Sequence, residues 1–174
     1  ATWKRLKQNT GRLGFFGDVS PSTDGIELWN SLCARITNTP FAGQPYALTS
    51  ILEGCAWAEG QKRAWCSREL DVTDEFVIVS DIGKETAQLE SGDVLITANH
   101  ILACSWRAQG GLAVEHVSSN GTLGILESME VLHAGSTSMP LLSPVTTGTE
   151  GATHPSIVAA GISSTASSSS QSYH

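Results

Sequence analysis

The chain has 174 residues, an ordinary hydrophobic content of 40% and a net charge of −7, values that suit one domain with appendages and exclude a disordered chain. No run of about 18 apolar residues occurs, so no transmembrane helix is expected. The N-terminus has neither an apolar signal core nor a Met, as expected of a product released from a longer precursor. Charge is uneven: Lys4, Arg5, Lys7 and Arg12 are the only charged residues before Asp18, and the other six Lys/Arg face seventeen Asp/Glu. A short basic arm on an acidic body can meet phosphates through the arm alone. Cys33, Cys55, Cys66 and Cys104 form no C-x-x-C pair, which argues against a zinc knuckle and for buried free thiols.

Residues 1–23 read as an arm. Gly11, Gly14, Gly17 and Pro21 punctuate it, and Trp3, Leu6, Leu13, Phe15 and Phe16 give it apolar groups that must lie on the domain or on a neighbouring subunit. In residues 24–37, Ile26, Leu28, Leu32, Ala34 and Ile36 share one parity, so the spacing predicts a strand. Residues 45–53 read as a short helix closed by Gly54. Residues 55–70 then read as a second strand with a break at Gly60.

Residues 75–82 are rich in β-branched side chains and predict a short strand. Residues 93–107 give the longest strand signal, with Val94, Ile96, Ala98, Leu102, Cys104 and Trp106 on one parity. Asn120-Gly121 between the apolar runs 112–119 and 122–134 predicts a hairpin. Residues 135–174 are rich in Ser, Thr, Gly and Pro, with Ile157–Ala160 among their few apolar islands.

These elements together predict an all-β fold: an antiparallel jelly-roll β-sandwich with one or two short helices and extended terminal arms. The expected division is an arm over 1–23, the β domain over 24–134 and a C-terminal extension over 135–174.

Catalytic patterns are sparse. Thr97-Ala98-Asn99-His100 resembles the histidine segment of trypsin-like proteases, but no G-x-S-x-G or Gly-Asp-Ser-Gly accompanies it, and Ser136 lacks the glycine frame of an oxyanion hole. His100, His116 and His133 fall one per predicted strand, without the His-x-His of a cupin-type metal site. Glu127 and Glu130 are spaced to point to opposite strand faces, which with Glu115 argues against a shared acid–base pair. Trp57, Trp65 and Trp106 offer either a sugar-stacking platform or core packing. Neither G-x-x-x-x-G-K nor G-x-G-x-x-G occurs, so no cofactor and no catalytic residue is expected.

Leu48, Ile51 and Leu52 followed by Trp57-Ala58-Glu59-Gly60 resemble the helix face and the aromatic-x-x-Gly element of picorna-like virus capsid proteins. The small coat proteins of plant picorna-like viruses, of comovirus and cheravirus type, are the most similar. Met139-Pro140-Leu141-Leu142-Ser143-Pro144 is similar to a turn of such shells, and the polar Gln61-Lys62-Arg63 departs from the family. The resemblance implies a structural subunit of a small icosahedral RNA virus rather than an enzyme, found in the virion and, before assembly, in the host cytoplasm. It would contact other coat-protein subunits through Trp3, Leu13, Phe15 and Phe16, and viral RNA through Lys4, Arg5, Lys7 and Arg12. A non-catalytic β-sandwich that binds carbohydrate is the alternative.

Overall fold

In the computed structural model, which describes residues 16–36, 39, 43–53, 55–132 and 156–160, the chain is not a jelly roll. Among the described residues, four helices pack on a five-stranded sheet in which every neighbouring pair is parallel. In chain order the elements are α1 (Thr23–Ile36), β1 (Tyr46–Ile51), α2 (Trp57–Leu70), β2 (Val77–Asp81), β3 (Val94–Thr97), α3 (His100–Ala108), β4 (Leu112–Glu115), α4 (Ser119–Ser128) and β5 (Ile157–Ala160). The sheet order is β2-β1-β5-β3-β4. This α/β architecture replaces the expected antiparallel sandwich.

The strands alternate between two buried faces, as strand geometry requires. On the first face, Val94, Ile96, Val114 and Ile157 pack with Leu28, Leu32 and Ile36 of α1 and with Leu123 and Leu126 of α4. Beside them Ala47, Val77 and Ala159 meet Trp29 of α1 and Trp65, Cys66 and Leu70 of α2. On the second face, Leu48, Leu95 and Val158 pack against Trp106 of α3, with Leu89 from the β2–β3 connection at their side.

This distribution follows from the chirality of parallel crossovers. The steps β1→β2 and β4→β5 run one way across the sheet, and their helices α2 and α4 lie on the first face. The steps β3→β4 and β2→β3 run the other way, and α3 and Leu89 lie on the second. One hand of crossover accounts for the faces on which α2, α3, α4 and Leu89 lie.

Three sequence expectations fail for identifiable reasons. In α1 the buried Leu28, Leu32 and Ile36 are spaced by four, which fits both a strand face and a helix face. Trp29, adjacent to Leu28 and only 2% exposed, is compatible with the helix alone; its Nε1 donates to Leu70 O at 3.0 Å. The segments expected as helix and then strand have their types exchanged. Residues 46–51 form β1, and residues 57–70 form α2, which buries Ala58, Trp65, Cys66 and Leu70 at helical spacing and ends at Asp71 with φ 53. Asn120-Gly121 makes no hairpin; it lies in the first turn of α4, where the Ser118 side chain accepts from Gly121 N at 3.2 Å.

Candidate functional site

Because all five strands are parallel, their carboxyl ends form one edge, and the chain leaves β1 and β3 in opposite directions across the sheet. Open parallel sheets present ligand sites outside such a switch in direction. The polar side chains at this edge fall into two groups, one on each face of the β4 end.

The first group lies on the α3 face. Asn99 caps α3, its Oδ1 accepting from Ile101 N at 3.0 Å and Leu102 N at 3.3 Å, and this cap fixes where His100 begins the helix. His100 Nδ1 lies 2.8 Å from Glu115 Oε2, at the end of β4. The other carboxylate oxygen accepts from Arg107 Nη1 at 2.6 Å, while Arg107 Nη2 donates to Ala113 O at 2.8 Å. The Arg107 guanidinium, then the His100 imidazole, hold the Glu115 carboxyl below the usual carboxylate range. An ionised Glu115 can only accept, so Nδ1–H of His100 donates to it. One helical turn on, Cys104 Sγ stands against the same ring, 3.4 Å from Nε2 and 4.0 Å from Nδ1. His100 is 72% exposed at its side chain and Cys104 is exposed, so a solute can reach both.

The second group lies on the α1–α4 face. His116 Nε2 meets Asp24 Oδ2 at 2.8 Å, and its Nδ1 meets Thr122 Oγ1 at 2.9 Å. Asp24 Oδ1 accepts from Ser119 N at 2.9 Å and also from the Ser119 hydroxyl. These Ser119 bonds, side chain first, with His116 behind them, lower the Asp24 pKa. Each member is satisfied by another, and the group clamps the start of α1 to the start of α4.

The expected histidine constellation does not form. His100 and His116 point to opposite faces, and His133 lies outside the described residues. Among the described residues no three His, Cys, Asp or Glu side chains converge to hold a metal ion. Glu127 pairs with Arg35 across α1 and α4, far in role from Glu115, and Glu130 follows α4 with φ 58. The tryptophans build no platform. Trp57 stacks on Phe16 with centroids 6.0 Å apart, Trp65 is buried with Nε1 donating to Val19 O at 2.6 Å, and Trp106 fills the opposite face.

Of the expected subunit contacts, Phe16 packs on its own chain, against Trp57. Trp3, Leu13 and Phe15 lie outside the described residues, as do Lys4, Arg5, Lys7 and Arg12. Cys104 is exposed, where the sequence predicts a buried thiol. The signal that finds it is its i, i+4 spacing from His100, visible only once 100–108 is a helix. No described helix is long and apolar enough to cross a membrane.

Fold and edge together define an open parallel α/β domain with a polar cluster at the strand ends. No family model, curated protein or solved structure matches the chain.

Proposed function

We propose that this chain performs thiol chemistry at the carboxyl edge of its sheet, with Cys104 as nucleophile toward an electrophilic acyl carbon. The observation that carries this reading is the close approach of Cys104 Sγ to the His100 ring, 3.4 Å from Nε2 and 4.0 Å from Nδ1, with that Nδ1 bonded to Glu115 Oε2 at 2.8 Å. A thiol is activated by a base within reach, and the base needs a third group to fix its tautomer. His100 fills the first role and Glu115 the second. Arg107 positions Glu115 by a second bond to the same carboxylate.

In this reading the thiol proton passes to Nε2 as sulfur attacks the acyl carbon, and the imidazolium returns it to the leaving group. A coat-protein role has no comparable support in the described residues. The junction that carries that resemblance is a strand followed by a helix, the reverse of the order it requires.

Alkylation by iodoacetamide, followed by peptide mapping, tests the reading. Cys104 should react ahead of Cys33, Cys55 and Cys66, but exposure alone would give that order. The decisive comparison is His100→Gln, which keeps Cys104 exposed and should slow its alkylation near pH 7 by roughly tenfold or more. An unchanged rate would remove His100 as base and with it the proposal.

A further inference from the structure

The sheet has two outer strands, β2 and β4, and they are closed in different ways. An outer strand presents backbone N–H and C=O groups with no neighbouring strand, a template for pairing with another chain. The ladder bonds fix which groups these are. Ile82 N donates to Ile51 O at 3.0 Å, so Val77, Val79 and Asp81 turn their backbone away from β1. His116 N donates to Thr97 O at 2.9 Å, so Ala113 and Glu115 turn theirs away from β3.

The β2 edge is closed at both ends. Val77 N donates to Asp74 O, and Val77 O accepts from Arg63 Nη1 at 2.9 Å. Arg63 is itself fixed by Glu59 and by Asp74 O. At the far end Asp81 O accepts from Lys84 N at 3.0 Å. Between these ends lies one outward-facing residue, Val79, too short a template for a ladder. The β4 edge is closed by a side chain from α3. Arg107 Nη2 donates to Ala113 O at 2.8 Å, and Glu115 Oε1 holds Nη1 at 2.6 Å, so the guanidinium lies along the outward side of the strand. Leu112, which begins β4, is 47% exposed, so apolar surface adjoins this edge.

We infer that Arg107 is an edge guard, which keeps β4 from pairing with the β4 of a second copy of this chain. Copies that meet edge to edge about a twofold axis would pair these strands antiparallel, each offering the other the same groups. A strand entering on that side needs Ala113 O as an acceptor, and the guanidinium already holds it. The guanidinium also stands where the backbone of the entering strand would lie, and each copy carries one. The second copy is the partner because the β4 edge is self-complementary, whereas β2 is closed by its own turns and Arg63. This role uses the Arg107 bond to a backbone carbonyl and does not depend on Cys104.

Size-exclusion chromatography with light scattering, on the folded full chain over rising concentration, tests this. Arg107→Ala should reach about twofold the wild-type mass, as a pair of β4 strands requires. Arg107→Met keeps the aliphatic stem without a donor and carries the same expectation if the alanine variant loses its cooperative urea transition. Adding Ala113→Pro removes an outward N–H where an edge strand tolerates proline, and should return the variant to the wild-type mass. A folded Arg107 variant that keeps the wild-type mass at every concentration would overturn the inference. Association that survives Ala113→Pro would overturn it too, by placing the contact elsewhere. So would wild-type association that Ala113→Pro abolishes, because β4 would then pair with Arg107 in place.

Discussion

Gly111→Ala is the sharpest probe of the second face of the sheet. Gly111 joins α3 to β4, and its N–H donates to Trp106 O at 3.1 Å. A Cβ added there would stand 1.9 Å from Trp106 Cε2 and 2.2 Å from Nε1, where real Cβ contacts under 3.0 Å essentially never occur. The obstacle is a rigid indole, buried to 4% exposure against Leu48, Leu95 and Val158, so the ring must withdraw from its site. Withdrawal stretches the bond from Trp106 Nε1 to Asp93 O, now 3.3 Å, whose loss costs about 1 kcal/mol.

Overpacking of this kind costs typically ~1–3 kcal/mol more. A total near 2–4 kcal/mol corresponds to a Tm lower by roughly 5–15 °C in a chain of this size. Thermal unfolding followed by circular dichroism reads it. The companion variant is Trp106→Leu: in that background Gly111→Ala should lose most of its effect, a coupling of at least about 1 kcal/mol. A Tm within about 1 °C of wild type, or an equal penalty with and without the indole, would refute the placement of Trp106 over Gly111.

Asp24→Asn tests the clamp between α1 and α4. Because the folded pKa of Asp24 lies below the ordinary 3.8, the carboxylate contributes stability that is present above that value and is lost as pH falls through the folded pKa. The stability gap between wild type and variant in urea titrations should therefore be open at about pH 7 and close toward about pH 2; a gap constant with pH would count against the clamp. Leu126→Ala removes a side chain with no exposed surface between α1, α4 and the sheet, and should cost about 2–5 kcal/mol in denaturant unfolding. A loss under about 0.5 kcal/mol would place Leu126 outside the core.

How far the fold was legible depends on spacing. The apolar runs Val77-Ile78-Val79 and Val94-Leu95-Ile96 are strands in the structure, as the sequence predicts, because a short apolar run ended by polar or turn residues has little room to be anything else. The helices were misread where apolar residues recur every four positions, since four is a multiple of the strand period and near the helix period. The run 93–107 reads as one strand by parity, although Asn99 splits it as an N-cap before α3. That single boundary decides the site. With His100–Ala108 extended, His100 and Cys104 would share a strand face two pleats apart; in the helix they stand one turn apart with the sulfur against the imidazole ring. Glu115 and Arg107 could not be joined to them from sequence, because their meeting requires β3 and β4 to be parallel and adjacent.

The most consequential strand is the one with the least sequence behind it. β1 pairs with β2 and β5, and β3 pairs with β4 and β5, so four residues of β5 join what would otherwise be two separate strand pairs. Asp93 secures the junction: its Oδ1 accepts from Ser156 N and its Oδ2 from Glu90 N, both at 2.8 Å, while Val94 N donates to Ser156 O at 2.9 Å. Ile157, Val158 and Ala159 are at most 2% exposed and contribute to all three apolar clusters. Ala159→Pro removes a ladder donor and places the pyrrolidine ring between Ala47 and Ile96, the residues in register on either side. We expect a loss of roughly 3 kcal/mol or more, since proline in a central strand has no edge toward which to relieve the clash. If residues 135–174 were an extension outside the core, as composition alone implies, the same substitution would leave the urea midpoint where it was. A shifted midpoint with loss of cooperativity is the outcome that a central β5 requires, because the two halves of the sheet share no other strand.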